Sequence, residues 1–127
     1  MAVVRYLVDD VDRAVEFYSK KLGFTVAARW GKPFAMVSFG DTTLWLSGPE
    51  SSAARPMPDG RKPAPGGWNR LVVEVPDLEG RVLAMKRDGI AFRNDIVSGP
   101  GGKQILVEDG CGNVVELFQP AGRYDSR

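Results

Sequence analysis

The chain repeats itself once, and that repetition constrains its fold more than any other feature. The segment VDDVDRAV (8–15) aligns with VPDLEGRV (75–82) at a valine, an aspartate, a branched aliphatic, an acid and a final valine. Gly23-Phe24 matches Gly89-Ile90, and LWLSGP (44–49) matches VELFQP (115–120), each half closing on a proline. A period of about 70 residues is too long for a solenoid repeat and fits two copies of one supersecondary module. The expected class is therefore α+β: two βαβββ modules with mixed sheets facing each other around a groove, one helix on the back of each. Module 1 covers about 1–48 and module 2 about 68–120. A connecting segment at 49–67 and a tail at 121–127 complete a single domain.

Local signals fill in the elements. Residues 2–8 are rich in β-branched side chains and read as a strand. Val11, Val15, Tyr18 and Leu22 fall on one helical face. Asp10 is placed to cap that helix, and Gly23 to end it in the left-handed region. Strands are expected at 24–30, 33–39 and 42–47, with turns at Gly31-Lys32 and Gly40-Asp41. Residues 48–67 hold five prolines and no apolar periodicity, the pattern of a linker or surface loop. The second half follows with a strand at 68–75, Asp77 as cap, and a helix carrying Leu78, Val82 and Met85 to Gly89. Strands at 90–94, 103–108 and 113–119 complete it.

Composition removes several classes of function. There is no histidine and one cysteine among 127 residues. Zinc, iron, nickel and copper centres usually draw on imidazole or thiolate, and Ser-His-Asp or Cys-His catalysis needs histidine outright. A net charge of +1 makes no electrostatic case for nucleic acid or an anionic membrane. No apolar run approaches the roughly 20 residues of a membrane span, and the N-terminus lacks a signal-peptide layout. A lone cysteine suits a reducing compartment, so a cytoplasmic location is expected. Cys111 has no adjacent base to activate it and reads as structural. The glycine-rich stretch 98–103 lies between expected strands rather than before a helix. It therefore reads as a hairpin-like connection and not a phosphate loop.

At this point a resemblance carries weight. Asp10-x6-Phe17-Tyr18-x3-Leu22-Gly23-Phe24 resembles the first-helix signature of the vicinal-oxygen-chelate superfamily, which spans glyoxalases, bleomycin resistance proteins and extradiol dioxygenases. Glu108-Asp109-Gly110-x-Gly112-Asn113-x2-Glu116-Leu117 resembles its last hairpin and strand, and residues 40–47 look like the fourth strand of the bleomycin-resistance branch. The resemblance implies paired βαβββ modules and a homodimer with small-molecule clefts. Catalytic members hold a divalent metal at four strand positions, which fall here at Val3, Trp45, Arg70 and Glu116. Only Glu116 is a ligand type, so no metal and no cofactor is expected, and metal-dependent glyoxalase or dioxygenase activity is disfavoured.

Strand alternation turns these positions into a candidate site. If Trp45 faces the groove, Thr43 and Ser47 join it while Leu44 and Leu46 pack on the helix. Glu116 shares a face with Val114 and Phe118, and Arg70 shares one with Trp68, Val72 and Glu74. The expected lining is Val3, Trp45, Trp68 and Phe118, with Arg70 and Glu116 as a polar pair and Trp30 and Phe34 at the rim. Tyr6 and Tyr18 are expected in the core. Such an apolar concavity at a dimer interface fits binding of a hydrophobic or planar antibiotic-like molecule, neutral or cationic, stacked on tryptophan and sequestered unchanged. The alternative is a metal-independent isomerase, cyclase or lyase with Glu116 as acid or base and Arg70 stabilising an enolate. A third reading pairs Glu116 with Glu74 or with a partner chain at a carboxylate-bound metal.

Overall fold

The structure is a computed structural model that describes residues 2–122; most of the expected tail lies outside the described residues. It comprises two compact units, one of residues 2–66 with 109–113 and one of residues 67–108 with 114–122. Each carries a four-stranded mixed sheet and a helix, an α+β arrangement of two βαβββ modules. No helix among the described residues is long and apolar enough to cross a membrane.

In the first unit, β1 (Val4–Leu7) leads into α1 (Val11–Glu16). Asp10 caps the helix by accepting from the Arg13 amide at 3.1 Å. The apolar stripe of Val11, Val15, Tyr18 and Leu22 is buried as its spacing requires. The helix does not stay regular, however. Phe17–Lys21 widens into a π-helical turn where one α-helix to Leu22 was expected. There the Ser19 hydroxyl donates to the Val15 carbonyl at 2.6 Å, competing for the acceptor that a regular turn gives to the Ser19 amide. Gly23, at φ +82°, then reverses the chain.

Strands β2 (Thr25–Arg29), β3 (Phe34–Phe39) and β4 (Thr42–Ser47) follow, and the sheet order is β1-β4-β3-β2 with β1 parallel to β4. Ala35, Val37, Leu44 and Leu46 are wholly buried, so this face of the sheet belongs to the core. The 49–67 segment is irregular apart from a short 3-10 turn at Ser52–Ala54.

The first unit is closed by a polar cluster. Asp109 is buried, and its Oδ2 accepts from the Tyr18 hydroxyl at 2.8 Å. Its Oδ1 accepts from the Cys111 and Asn113 amides at 2.7 and 3.0 Å. Asn113 donates to the Leu7 carbonyl and accepts from the Gly66 amide. Gly112 sits at φ +100°, and a Cβ there would lie 2.8 Å from Pro65, so both backbone and space demand glycine. Every oxygen of Asp109 is thus occupied, as a buried carboxylate needs. Tyr6 is half-buried and packs edge-on against Tyr18, 6.3 Å between ring centres.

The second unit holds β5 (Leu71–Glu74), α2 (Leu78–Arg87), β6 (Val97–Gly99), β7 (Gly102–Glu108) and β8 (Val114–Pro120), ordered β5-β8-β7-β6. Asp77 caps α2 through the Gly80 amide at 3.1 Å, and Leu78, Val82 and Met85 are buried. Two expected strands are corrected here. The strand at 68–75 begins only at Leu71, near where its partner β8 begins at Val114, which leaves Trp68 and Asn69 nothing to pair with. The strand at 90–94 reduces to a single bridge, Phe92 with Val107. Asn94 ends it by taking the Leu106 amide with its side-chain oxygen at 2.9 Å, and pairing with β7 resumes at Val97.

Burial, with the charge of Asp109 next, pushes the Cys111 thiol up to about 12 from an ordinary 9.0. Burial and the same carboxylate also raise Tyr18 well above the usual phenol range. The folded chain binds these protons more tightly than the unfolded chain. Their stabilising contribution is complete below the unfolded pKa and is lost as pH rises towards the folded one. Urea midpoints should therefore fall as pH rises above 9.0, the ordinary thiol value, and fall less steeply in Cys111→Ala. Equal slopes in the two proteins would show that the thiol is uncoupled from folding.

Candidate functional site

Register decides which side chains share a face. Arg5 lies opposite Trp45 on the parallel pair β1 and β4, and Met36 lies opposite Trp45 on β3. Since Leu44 and Leu46 point into the core, Trp45 points away from it, together with Arg5, Met36, Phe34, Thr43 and Ser47. The second sheet repeats the register: Val72 lies opposite Glu116, as Arg5 lies opposite Trp45. Trp45 and Glu116 therefore hold equivalent positions in the two modules.

In the first unit these residues wall a hollow of about 520 Å³, with Arg5, Trp30, Phe34, Met36 and Trp45 among its lining and Glu50, Ser51 and Ser52 at its side. The rings form a chain. Trp30 and Phe34 are 5.3 Å apart, and Phe34 meets Trp45 edge-on at 5.8 Å. The Trp30 amide donates to the Phe34 carbonyl across the turn at Gly31, which brings the two rings to one end of the hairpin. The Arg5 guanidinium carbon sits 5.0 Å from the Trp45 ring centre, and its Nη1 donates to the Ser47 hydroxyl at 3.0 Å. Ser47 is fully buried, Thr43 is half-buried, and Val3 lies exposed before β1.

In the second unit Arg70 grips Glu116, with Nε and Nη2 both donating to Oε1 at 3.0 and 2.8 Å. The Glu116 side chain is only 9% exposed. Trp68 lies in a bend before β5 and is 64% exposed. Its ring is covered on one side by Arg93, whose guanidinium carbon is 4.6 Å from the ring centre and which also pairs with Glu108 at 2.8 Å. Phe118 borders a separate hollow of about 220 Å³ with Val97 and Gln104.

The structure thus gathers Trp30, Phe34, Trp45 and Ser47 at one place and Trp68, Arg70 and Glu116 at another. Sequence reasoning missed Arg5, Met36 and Arg93. Arg5 was within reach of it, being two residues beyond Val3 on the same strand face. Arg93 was hidden by the expected strand at 90–94.

The four metal positions can be tested on their donors. The Val3 and Trp45 side chains offer no ligand atom, and the Arg70 guanidinium holds Oε1 of Glu116 and sets a positive charge where a cation would sit. Glu74 lies opposite Phe118 on the Glu116 face, yet that same guanidinium stands against a cation at Glu116. Among the described residues no three His, Cys, Asp or Glu side chains come together as a metal-holding group. The residues do not fit a divalent ion.

The Arg70–Glu116 pair is half-buried, so removing one partner strands the other. Arg70→Ala should cost about 1–3 kcal/mol in urea denaturation, less than for a fully buried pair because the arginine end meets water. The double variant Arg70→Met with Glu116→Leu should cost less than Arg70→Ala alone. A double variant no better than the single one would refute this.

No curated protein matches the chain. Solved structures match it over nearly their whole length. One is TnmS3, an antibiotic binding protein from Streptomyces sp. CB03234, with 25% identity over 95% of this chain and 97% of that one and a TM-score of 0.69. Another is lactoylglutathione lyase from Agrobacterium tumefaciens, with 19% identity over 93% and 92% and a TM-score of 0.69. TioX from Micromonospora sp. ML1 shares 22% identity over 93% and 96%, with a TM-score of 0.68. The latter two show a common fold. The family described as the Glyoxalase/Bleomycin resistance protein/Dioxygenase superfamily matches residues 1–117, nearly all of both βαβββ modules, and the chain belongs to that superfamily.

Proposed function

We propose that this protein binds a hydrophobic or planar, antibiotic-like small molecule in the hollow beside Trp45 and holds it chemically unchanged. One observation carries the reading. Three aromatic rings in contact wall a hollow of about 520 Å³, within the range of roughly 300–1,000 Å³ that small-molecule sites occupy. Stacking on tryptophan needs no metal and no acid–base group, and the family's metal positions here carry no donor set. The likeness to the antibiotic-binding TnmS3 supports the same reading. A homodimer, a cytoplasmic setting and a part in drug resistance belong to this proposal.

The alternative of a metal-independent isomerase, cyclase or lyase rests on Glu116. Oε1 of Glu116 accepts from two guanidinium nitrogens, which leaves Oε2 as the oxygen that would take a proton from substrate.

Native mass spectrometry of the purified protein with a panel of aromatic and glycopeptide antibiotics tests the proposal. The expected result is a bound antibiotic of unchanged mass, recovered chromatographically unaltered. Trp45→Ala should weaken binding about thirtyfold or more, the loss of about 2 kcal/mol that truncating an anchoring tryptophan brings. A chemically altered ligand, with conversion stopped by Glu116→Gln, would replace sequestration by catalysis.

A further inference from the structure

We infer that Arg5 selects the charge of the ligand, so that the hollow takes a planar aromatic compound bearing an anionic oxygen, a carboxylate or phenolate. This rests on the reading of the Trp45 hollow as the binding site and adds the chemical class of what enters it.

Arg5 is the one arginine lining that hollow. It is always charged, and its guanidinium offers five N–H donors in one plane. One of them goes to the Ser47 hydroxyl at 3.0 Å, and Ser47 is wholly buried, so the head is tethered rather than loose. Among the described residues no carboxylate lies within ion-pair distance of it. Arg29 meets Asp12, Arg61 meets Asp59, Arg70 meets Glu116 and Arg93 meets Glu108, whereas Arg13 and Arg5 donate to neutral oxygens, the Gly110 carbonyl and the Ser47 hydroxyl. Arg5 instead lies against the Trp45 ring, 5.0 Å from guanidinium carbon to ring centre. A ring face lowers the energy of a cation without neutralising it or filling its in-plane donors. A carboxylate or phenolate reaching those donors forms charge-assisted bonds, stronger than neutral ones and directional.

The other charged group at the hollow is Glu50. It stands exposed on the 49–67 segment, with no hydrogen bond or ion pair to a described residue. Its charge acts through water and is screened by salt. Arg5 touches the ring on which the ligand stacks, and its effect is exerted at contact. The expected preference is therefore anion over neutral over cation.

Three probes of one shape test this by calorimetric titration at pH 7: 2-naphthoate, 2-naphthylmethanol and 2-naphthylmethylammonium. Naphthoate should bind about tenfold more tightly than the alcohol, the gain of one charge-assisted hydrogen bond, with the ammonium weakest. Arg5→Gln should bring naphthoate down to the level of the alcohol. Glu50→Gln should keep or widen the preference for the anion, and it gives an independent check should Arg5→Gln fold poorly. If the three probes bind alike, or the ammonium binds best, the Arg5 assignment is overturned. The hollow itself would still stand as a binding site, provided Trp45→Ala weakens the alcohol. If no probe binds the parent protein, both readings fall together.

Discussion

Leu44 and Leu46 have no exposed surface, and a strand can bury both only by turning Trp45 the other way. Every later feature of the first unit follows from that alternation. Ala35 and Val37 on β3 obey it, so Phe34 and Met36 appear beside Trp45. The parallel pairing of β1 with β4 adds Arg5 to the same face. A slip of one residue would move four wholly buried side chains into water. Burying one such side chain is worth about 1.5–3 kcal/mol, so the register has no near competitor. The face that carries Trp45 is in this sense what the core leaves over.

The second unit uses the same scaffold for different chemistry. Where Trp45 stands in the first sheet, Glu116 stands in the second, and Arg70 holds it. A nearly buried carboxylate costs desolvation energy unless it is paired, and two donors to one oxygen meet that demand. Arg93 does two things at once, pairing with Glu108 and covering one side of Trp68. Asp109 solves the same problem in the first unit with neutral donors, a hydroxyl and two amides. Among the described residues, no buried side-chain nitrogen or oxygen is left without a hydrogen-bond partner. Arg5 has no carboxylate within reach among the described residues, and it faces a hollow from the side of the Trp45 ring.

Membership of the superfamily does not carry an activity with it. The fold is shared with a lactoylglutathione lyase and with an antibiotic binding protein alike. At Trp45 and Arg70 this chain carries an indole and a guanidinium, neither of which holds a metal cation.

Much of the fold was legible because it depends on local rules. Asp10 and Asp77 announce the helix starts, Gly23 and Gly89 their ends, and the repeated Val-x-Asp pattern the two modules. Alternation also told which of Thr43, Leu44, Trp45 and Leu46 faces the core, since a period of two needs no partner strand to be read. What the sequence could not decide was how far each strand pairs and what each arginine reaches. Residues 90–94 have strand-forming side chains, yet Asn94 breaks the ladder with its own amide, and Val97–Gly99 takes over. Trp68 sits outside β5 because β8 starts at Val114, a limit set more than forty residues away in the chain. Arg5, Arg70 and Arg93 are alike as letters, but only the folded chain brings one to an aromatic ring, one to a carboxylate and one to both. Local periodicity is written in neighbouring residues, whereas ladder length and ion pairing depend on groups that meet only once the sheets have formed.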